Sequence, residues 1–177
     1  GYDCAVRIAA LDDTSLVARR LAPNHRVLVA APAYLARHGR PATIAELQRH
    51  NCLTAAPQDS WRLDGPDGPV VVRVHGNIQT NSSDVAREAV VAGLGIGLRS
   101  TWDVGPDLEA GRLEVVLPAY SGSGRVGVYA VYPSRRFLPQ KVRVFIDFLV
   151  DLYGPSPYWD RGLGFPDVDG LPRAAAE

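Results

Sequence analysis

The chain has 177 residues, 46% of them hydrophobic, and its 19 lysines and arginines balance 19 aspartates and glutamates, giving a formal net charge of zero. That length supports one α/β domain, or two small lobes, around a sizeable core. The balanced charge argues against a segment that grips nucleic acid by its phosphates, and no apolar run is long enough to span a bilayer.

Asp3 to Ile8 reads as a short buried strand closed by Arg7, and Leu16 to Leu21 as a second, edge-like strand after a polar turn. Arg26 to Ala31 is a continuous apolar run typical of a strand covered on both faces. Pro32 opens a short helix through Tyr34 and Leu35 that stops at Gly39. Thr43 is expected to cap a helix from Ile44 to His50, with Glu46 completing a capping box. Cys52 to Ala55 is another short strand. Trp61 to Leu63 and Val70 to Val74 flank a Gly65-Pro66-Asp67-Gly68 turn, which predicts a hairpin.

Gly76 to Thr80 reads as a strand, and Asn81 or Ser82 caps a helix from Ser83 to Ala92 whose apolar face gathers Val85, Ala89 and Val90. Gly93 ends it. Ile96 to Leu98 is read as a strand, Thr101 to Val104 as a turn, Leu113 to Leu117 as a strand and Ser121 to Gly124 as a loose tip. Val126 to Tyr132 is a hydrophobic strand. Pro139 then opens an amphipathic helix to Tyr153, with Val142, Phe145, Ile146, Leu149 and Leu152 at core spacing. The proline- and glycine-rich stretch from Gly154 onward reads as a tail, partly or wholly mobile. Strands and helices alternate throughout, which argues an α/β fold with mixed sheets.

The sequence opens at Gly1 and contains no methionine, so we expect a fragment, or a chain whose start was removed. No signal peptide is visible in Gly1 to Ala10, and the expected compartment is the cytoplasm. Cys4 and Cys52 lie in apolar runs and are read as buried, reduced thiols. The four histidines are scattered, so neither a metal site nor a cofactor is expected.

The run Gly93-Leu94-Gly95-Ile96-Gly97 follows a helix and enters a strand, the reverse of a dinucleotide fingerprint, so helix capping and tight packing explain it better. No nucleophile elbow, P-loop or zincin motif is present, and no enzyme is expected. Ser82, Ser83 and Asp84 cluster where capping explains all three. Arg7 has two readings. It pairs with a local carboxylate such as Asp12 or Asp13, or its planar fork faces a crevice and holds an anionic ligand.

Several stretches together resemble one family. Tyr2-Asp3-Cys4-Ala5-Val6-Arg7-Ile8, the segment Ala31-Pro32-Ala33-Tyr34-Leu35 running to Pro41, Ala92 to Gly97, Gly111-Arg112-Leu113, Val116-Leu117-Pro118 and Arg136 to Leu149 occur in the order and spacing of LysR-type transcription regulators. The resemblance covers residues 1 to 153. It implies a two-lobed, periplasmic-binding-protein-like (type 2) α/β fold with a small, anionic organic effector held between the lobes. Residues 1–25 with 133–153 would then be a partial first lobe, 26–31 and 126–132 the crossover strands, 32–125 the second lobe and 154–177 a tail. The first lobe would be incomplete, and the helix-turn-helix that binds DNA would lie outside this chain. Homo-oligomers are implied, and no membrane partner.

On the rule that such clefts are lined at the carboxyl ends of strands, the resemblance implies effector contacts from Arg7, Ile8, Trp61, Asn81, Ser82 and Ser100. The alternative is a periplasmic solute-binding protein of a transporter. An enzyme of porphobilinogen-deaminase type would need a cofactor cysteine in a context that Cys4 and Cys52 lack.

Overall fold

The computed structural model describes residues 2–10, 16–55, 59–124, 126–133 and 138–164. The chain divides into two compact units, one of Gly1–Asn24 with Gly124–Glu177 and one of His25–Ser123.

The first unit is built on strands β1 (Ala5–Ala10) and β2 (Val17–Pro23). Both pair antiparallel with the last strand of the chain, β11 (Val126–Tyr132), in the order β1-β11-β2. Helix α4 (Gln140–Tyr153) packs Val142, Ile146, Leu149 and Val150 against Leu21, Ala22, Val128, Ala130 and Tyr132. Burial of that many aliphatic side chains is the main force joining helix to sheet. At the surface, Arg19 of β2 and Asp147 of α4 form an ion pair at 2.5 Å.

Two expectations for this unit need correction. The first strand is not buried: Val6 and Ile8 are each 46% exposed, and β1 is an edge strand of the three-stranded sheet. On α4, Phe145 and Leu152 are exposed and Val150 is buried instead. Helical spacing defines a stripe wider than the strip that the sheet covers. The segment after Gly154 begins with ordered packing. Tyr158–Asp160 forms a 3₁₀ turn, and Trp159 lies against the core and 5.0 Å, ring to ring, from Tyr153. Residues 165–177, the rest of the expected tail, lie outside the described residues.

The second unit contains β3 (Arg26–Ala30), helix α1 (Pro32–His38), β4 (Cys52–Ala55), and the hairpin of β5 (Ser60–Gly65) with β6 (Gly68–Arg73). Then come β7 (Gln79–Thr80), α2 (Ser83–Val91), β8 (Ile96–Ser100), α3 (Thr101–Glu109), β9 (Glu114–Val115) and β10 (Ser121–Gly122). The strands form a mixed sheet in the order β6-β5-β10-β3-β8-β4-β7, with β9 pairing to β3. Strand β3 is central and nearly wholly buried, as its unbroken apolar run requires. The core gathers Leu28, Tyr34, Leu47, Trp61, Leu63, Ile96 and Val116.

Gly39 ends α1 at φ +81°, a conformation that glycine adopts without strain. The expected helix after Thr43 is a 3₁₀ turn, Ile44–Arg49. Thr43 makes no cap bond to that turn. Glu46 reaches back past it, accepting from the Ala42 N–H at 2.9 Å and the Thr43 hydroxyl at 3.2 Å, so the expected capping box does not form. On α2 the buried residues are Ala86, Ala89 and Val90, while Val85 points to solvent. The strand expected from Gly76 is only Gln79–Thr80, that from Leu113 is only Glu114–Val115, and the loose tip contains the short strand β10.

The larger difference is α3, where a turn was expected. Gly105 and Pro106 inside it disguise a helix that buried Val104 and Asp107 hold in place.

Candidate functional site

In the second unit β8, β4 and β7 run parallel, so their carboxyl ends share one edge of the sheet. Helices leave that edge. β7 leads through Asn81 and Ser82 into α2, and β8 leads through Ser100 into α3. Such an edge gathers free backbone N–H groups and the positive ends of helix dipoles, which favour anions. Ser82 caps α2, its hydroxyl accepting from the Val85 N–H at 3.4 Å. Ser100 occupies the N-cap of α3 without a side-chain cap bond. Asn81 is exposed beside Ser82.

Trp61 lies elsewhere. It is 3% exposed within the core of this unit, and in the sheet β10 and β3 separate its strand from β8. Packing accounts for it fully. Arg7 and Ile8 belong to the first unit, where both are exposed on β1, opposite Tyr129 and Val128 of β11. Asp12 and Asp13, the expected partners of Arg7, lie outside the described residues.

Arg99 joins the two helix starts. Its Nε donates to Asp103 of α3 at 2.8 Å, while its Nη2 donates to the Ser83 carbonyl at 2.9 Å and hydroxyl at 2.7 Å. One turn further along α3, Asp107 is buried and accepts from Arg87 of α2 at 2.5 Å and from Arg112 at 2.7 Å. The Arg87 Nε also donates to the Asp103 carbonyl at 3.1 Å. Buried charges persist only when paired and hydrogen-bonded, and here each carboxylate is met by guanidinium.

Arg26 departs from that pattern. It opens β3 opposite Ser100 in the β3–β8 ladder. It is half-buried, and among the described residues no carboxylate faces it. Burial first, and then the neighbouring Arg99 charge, pull its pKa below the ordinary arginine value. Sequence reading missed both arginines: Arg26 was absorbed into an apolar strand, and Arg99 fell just past the strand read as Ile96 to Leu98, which in fact runs to Ser100. The available signal was a charge at the strand end, Arg26-Val-Leu-Val-Ala and Gly-Leu-Arg99.

A second polar cluster lies away from the edge. The Asn51 N–H donates to the Tyr34 hydroxyl at 3.0 Å, and that hydroxyl shares a hydrogen bond with His50 Nδ1 at 3.1 Å. Burial raises the Tyr34 pKa, and burial with the nearby His38 lowers that of His50. Burial also pushes the Cys52 thiol up to about 12, far from the range of a reactive thiolate. Cys52 is buried, but Cys4 is only half-buried, and both are free thiols. Among the described residues no three His, Cys, Asp or Glu side chains converge as a metal site, and no helix is long and apolar enough to cross a membrane.

The glycine run does what its order implied. Gly93 follows α2 at φ +72°, and Gly95 lies against Asn51 and Leu53.

Comparison with known proteins adds a consistent set of relatives. The family model described as the LysR substrate binding domain matches residues 1–154. The HTH-type transcriptional regulator DmlR of Escherichia coli K12 is 36% identical over 153 residues, covering 84% of this chain and 49% of that protein. The HTH-type transcriptional activator TtdR of the same strain is 36% identical over 155 residues, covering 85% and 47%. The chain thus spans about half the length of the curated relatives it matches. Among solved structures, the regulatory domain of AphB from Vibrio vulnificus is 32% identical with a TM-score of 0.70, covering 84% of this chain and 75% of that one.

Proposed function

Because the chain belongs to the LysR substrate-binding domain family, we propose that it is the effector-sensing part of a bacterial LysR-type transcription regulator. In this reading a small organic anion is held between two lobes, and its binding is relayed to a DNA-binding domain outside the chain. Residues 1–25 with 133–153 contribute to one lobe, 32–125 form the other, and 26–31 with 126–132 cross between them.

One observation in particular supports the ligand's charge: the shared carboxyl edge of β8, β4 and β7, with Ser82 and Ser100 at helix starts beside Arg26. The names of the relatives favour regulation over solute transport. They give no support to an enzyme.

Effector control of this kind is bounded by the ligand's differential affinity for the two states it selects between. In the reading proposed here those states are open and closed arrangements of the lobes, relayed through a homo-oligomer. The test is calorimetry with small organic acids on the full-length regulator, paired with DNA footprinting. Binding that alters the footprint is expected. A footprint that no acid alters sinks the reading.

A further inference from the structure

We propose that Arg26, beside the Ser100 hydroxyl, anchors a single carboxylate group of a small organic acid. The assignment rests on the sensing reading above and narrows its ligand class.

The position is built for a guanidinium. Arg26 faces Ser100 across the ladder, and the Thr101 N–H donates to the carbonyl of the adjacent His25 at 2.9 Å, so strand and helix start are locked together. The stem of Arg26 lies over Gly122, where an added Cβ would come 2.6 Å from the Arg26 Cβ. Any larger residue at position 122 would displace the arginine.

The charge is left unmet. Arg99 commits its Nε and Nη2 to Asp103 and Ser83, whereas no carboxylate among the described residues offsets the charge of Arg26. Arg99 is already paired with Asp103, so Arg26 is left as one uncompensated positive charge. Its natural complement is a monoanion. A planar carboxylate matches the fork of Arg26 in a bidentate geometry, and the Ser100 hydroxyl, which makes no cap bond, is adjacent to donate to it. A phosphate dianion would overcompensate the cluster.

The test uses acetate, benzoate and inorganic phosphate against chloride at matched ionic strength, read by thermal shift and calorimetry on the wild-type protein. The variants are Arg26→Gln and Arg26→Met, the second keeping the stem over Gly122 without the charge, and Arg62→Gln is the control at an exposed arginine of β5. Acetate and benzoate are expected to raise Tm above the chloride value. Both Arg26 variants should weaken carboxylate binding roughly ten- to a hundredfold, and Arg62→Gln should leave it unchanged. Equal carboxylate binding in the Arg26 variants overturns the assignment, as does a response to phosphate alone or to none of the three. A full-length Arg26→Met regulator that still answers its effector overturns this anchor and leaves the sensing role standing. A wild-type regulator that answers no small molecule removes the sensing role itself.

Discussion

Arg99 and Ser83 are joined by two hydrogen bonds from one guanidinium nitrogen, at 2.9 Å to the carbonyl and 2.7 Å to the hydroxyl, which fasten the end of β8 to the first turn of α2. Asp103 holds Arg99 in place from α3. One buried arginine therefore sets the spacing of both helices that leave the candidate edge.

That arrangement predicts a steep cost for removing the counter-charge. The Arg99 and Asp103 side chains are only 6% and 7% exposed, so Asp103→Ala leaves a buried guanidinium uncompensated. We expect a loss of about 3 kcal/mol, read as a fall in the urea midpoint at unchanged slope. Replacing both partners with apolar residues, Arg99→Met with Asp103→Leu, should cost less than the single change. A double variant as unstable as Asp103→Ala would contradict this account of the pair.

Gly95 gives a prediction of a different kind. A Cβ there would lie 2.3 Å from the Asn51 carbonyl oxygen and 2.9 Å from Leu53, with backbone as the nearer obstacle. That carbonyl also accepts the Ile96 N–H at 2.9 Å, tying β8 to the residue before β4. Gly95→Ala should destabilise by about 1–3 kcal/mol through overpacking. A midpoint equal to wild type in denaturant titration would show that the strands can shift freely here.

The reading from residues succeeded where local chemistry is strong and one-dimensional. Pro32 and Gly39 bracket α1, Ser82 caps α2, and the Gly65–Gly68 turn joins β5 to β6, each from residue types whose backbone preferences act within a few positions. It failed where burial depends on partners distant in sequence. Helix α3 was hidden because Gly105 and Pro106 lower helix propensity, while the stabilising contacts of Asp107 come from Arg87 and Arg112. Phe145 has the helical spacing of Ile146's neighbours, yet only the sheet decides which of them is covered. Of the expected site residues, Asn81, Ser82 and Ser100 are gathered at one sheet edge and Trp61 is in the core. Arg26 escaped notice because a lone charge at a strand end carries no motif.

Protonation of His50 provides a pH test. The ring is 7% exposed, and burial first, then the nearby His38, depresses its pKa below the ordinary histidine value, so the folded state favours the neutral ring. The unfolded chain binds the proton more readily. The stabilising effect is therefore full above about pH 6.5 and is lost as the pH falls through the depressed folded value. Urea unfolding at pH 7.5 and at pH about 5.5 should show a drop that is smaller in His50→Gln. An identical drop in that variant would assign the effect to other groups.

The central claim is that a small organic acid bound by this chain's family domain changes how the whole regulator sits on DNA. Calorimetric titration of the full-length protein with a panel of organic acids, each followed by footprinting on its operator, tests it most directly. The account predicts that at least one acid binds and shifts the footprint, and that Arg26→Met blunts both effects. Acids that bind without moving the footprint, or a panel in which none binds, would contradict it.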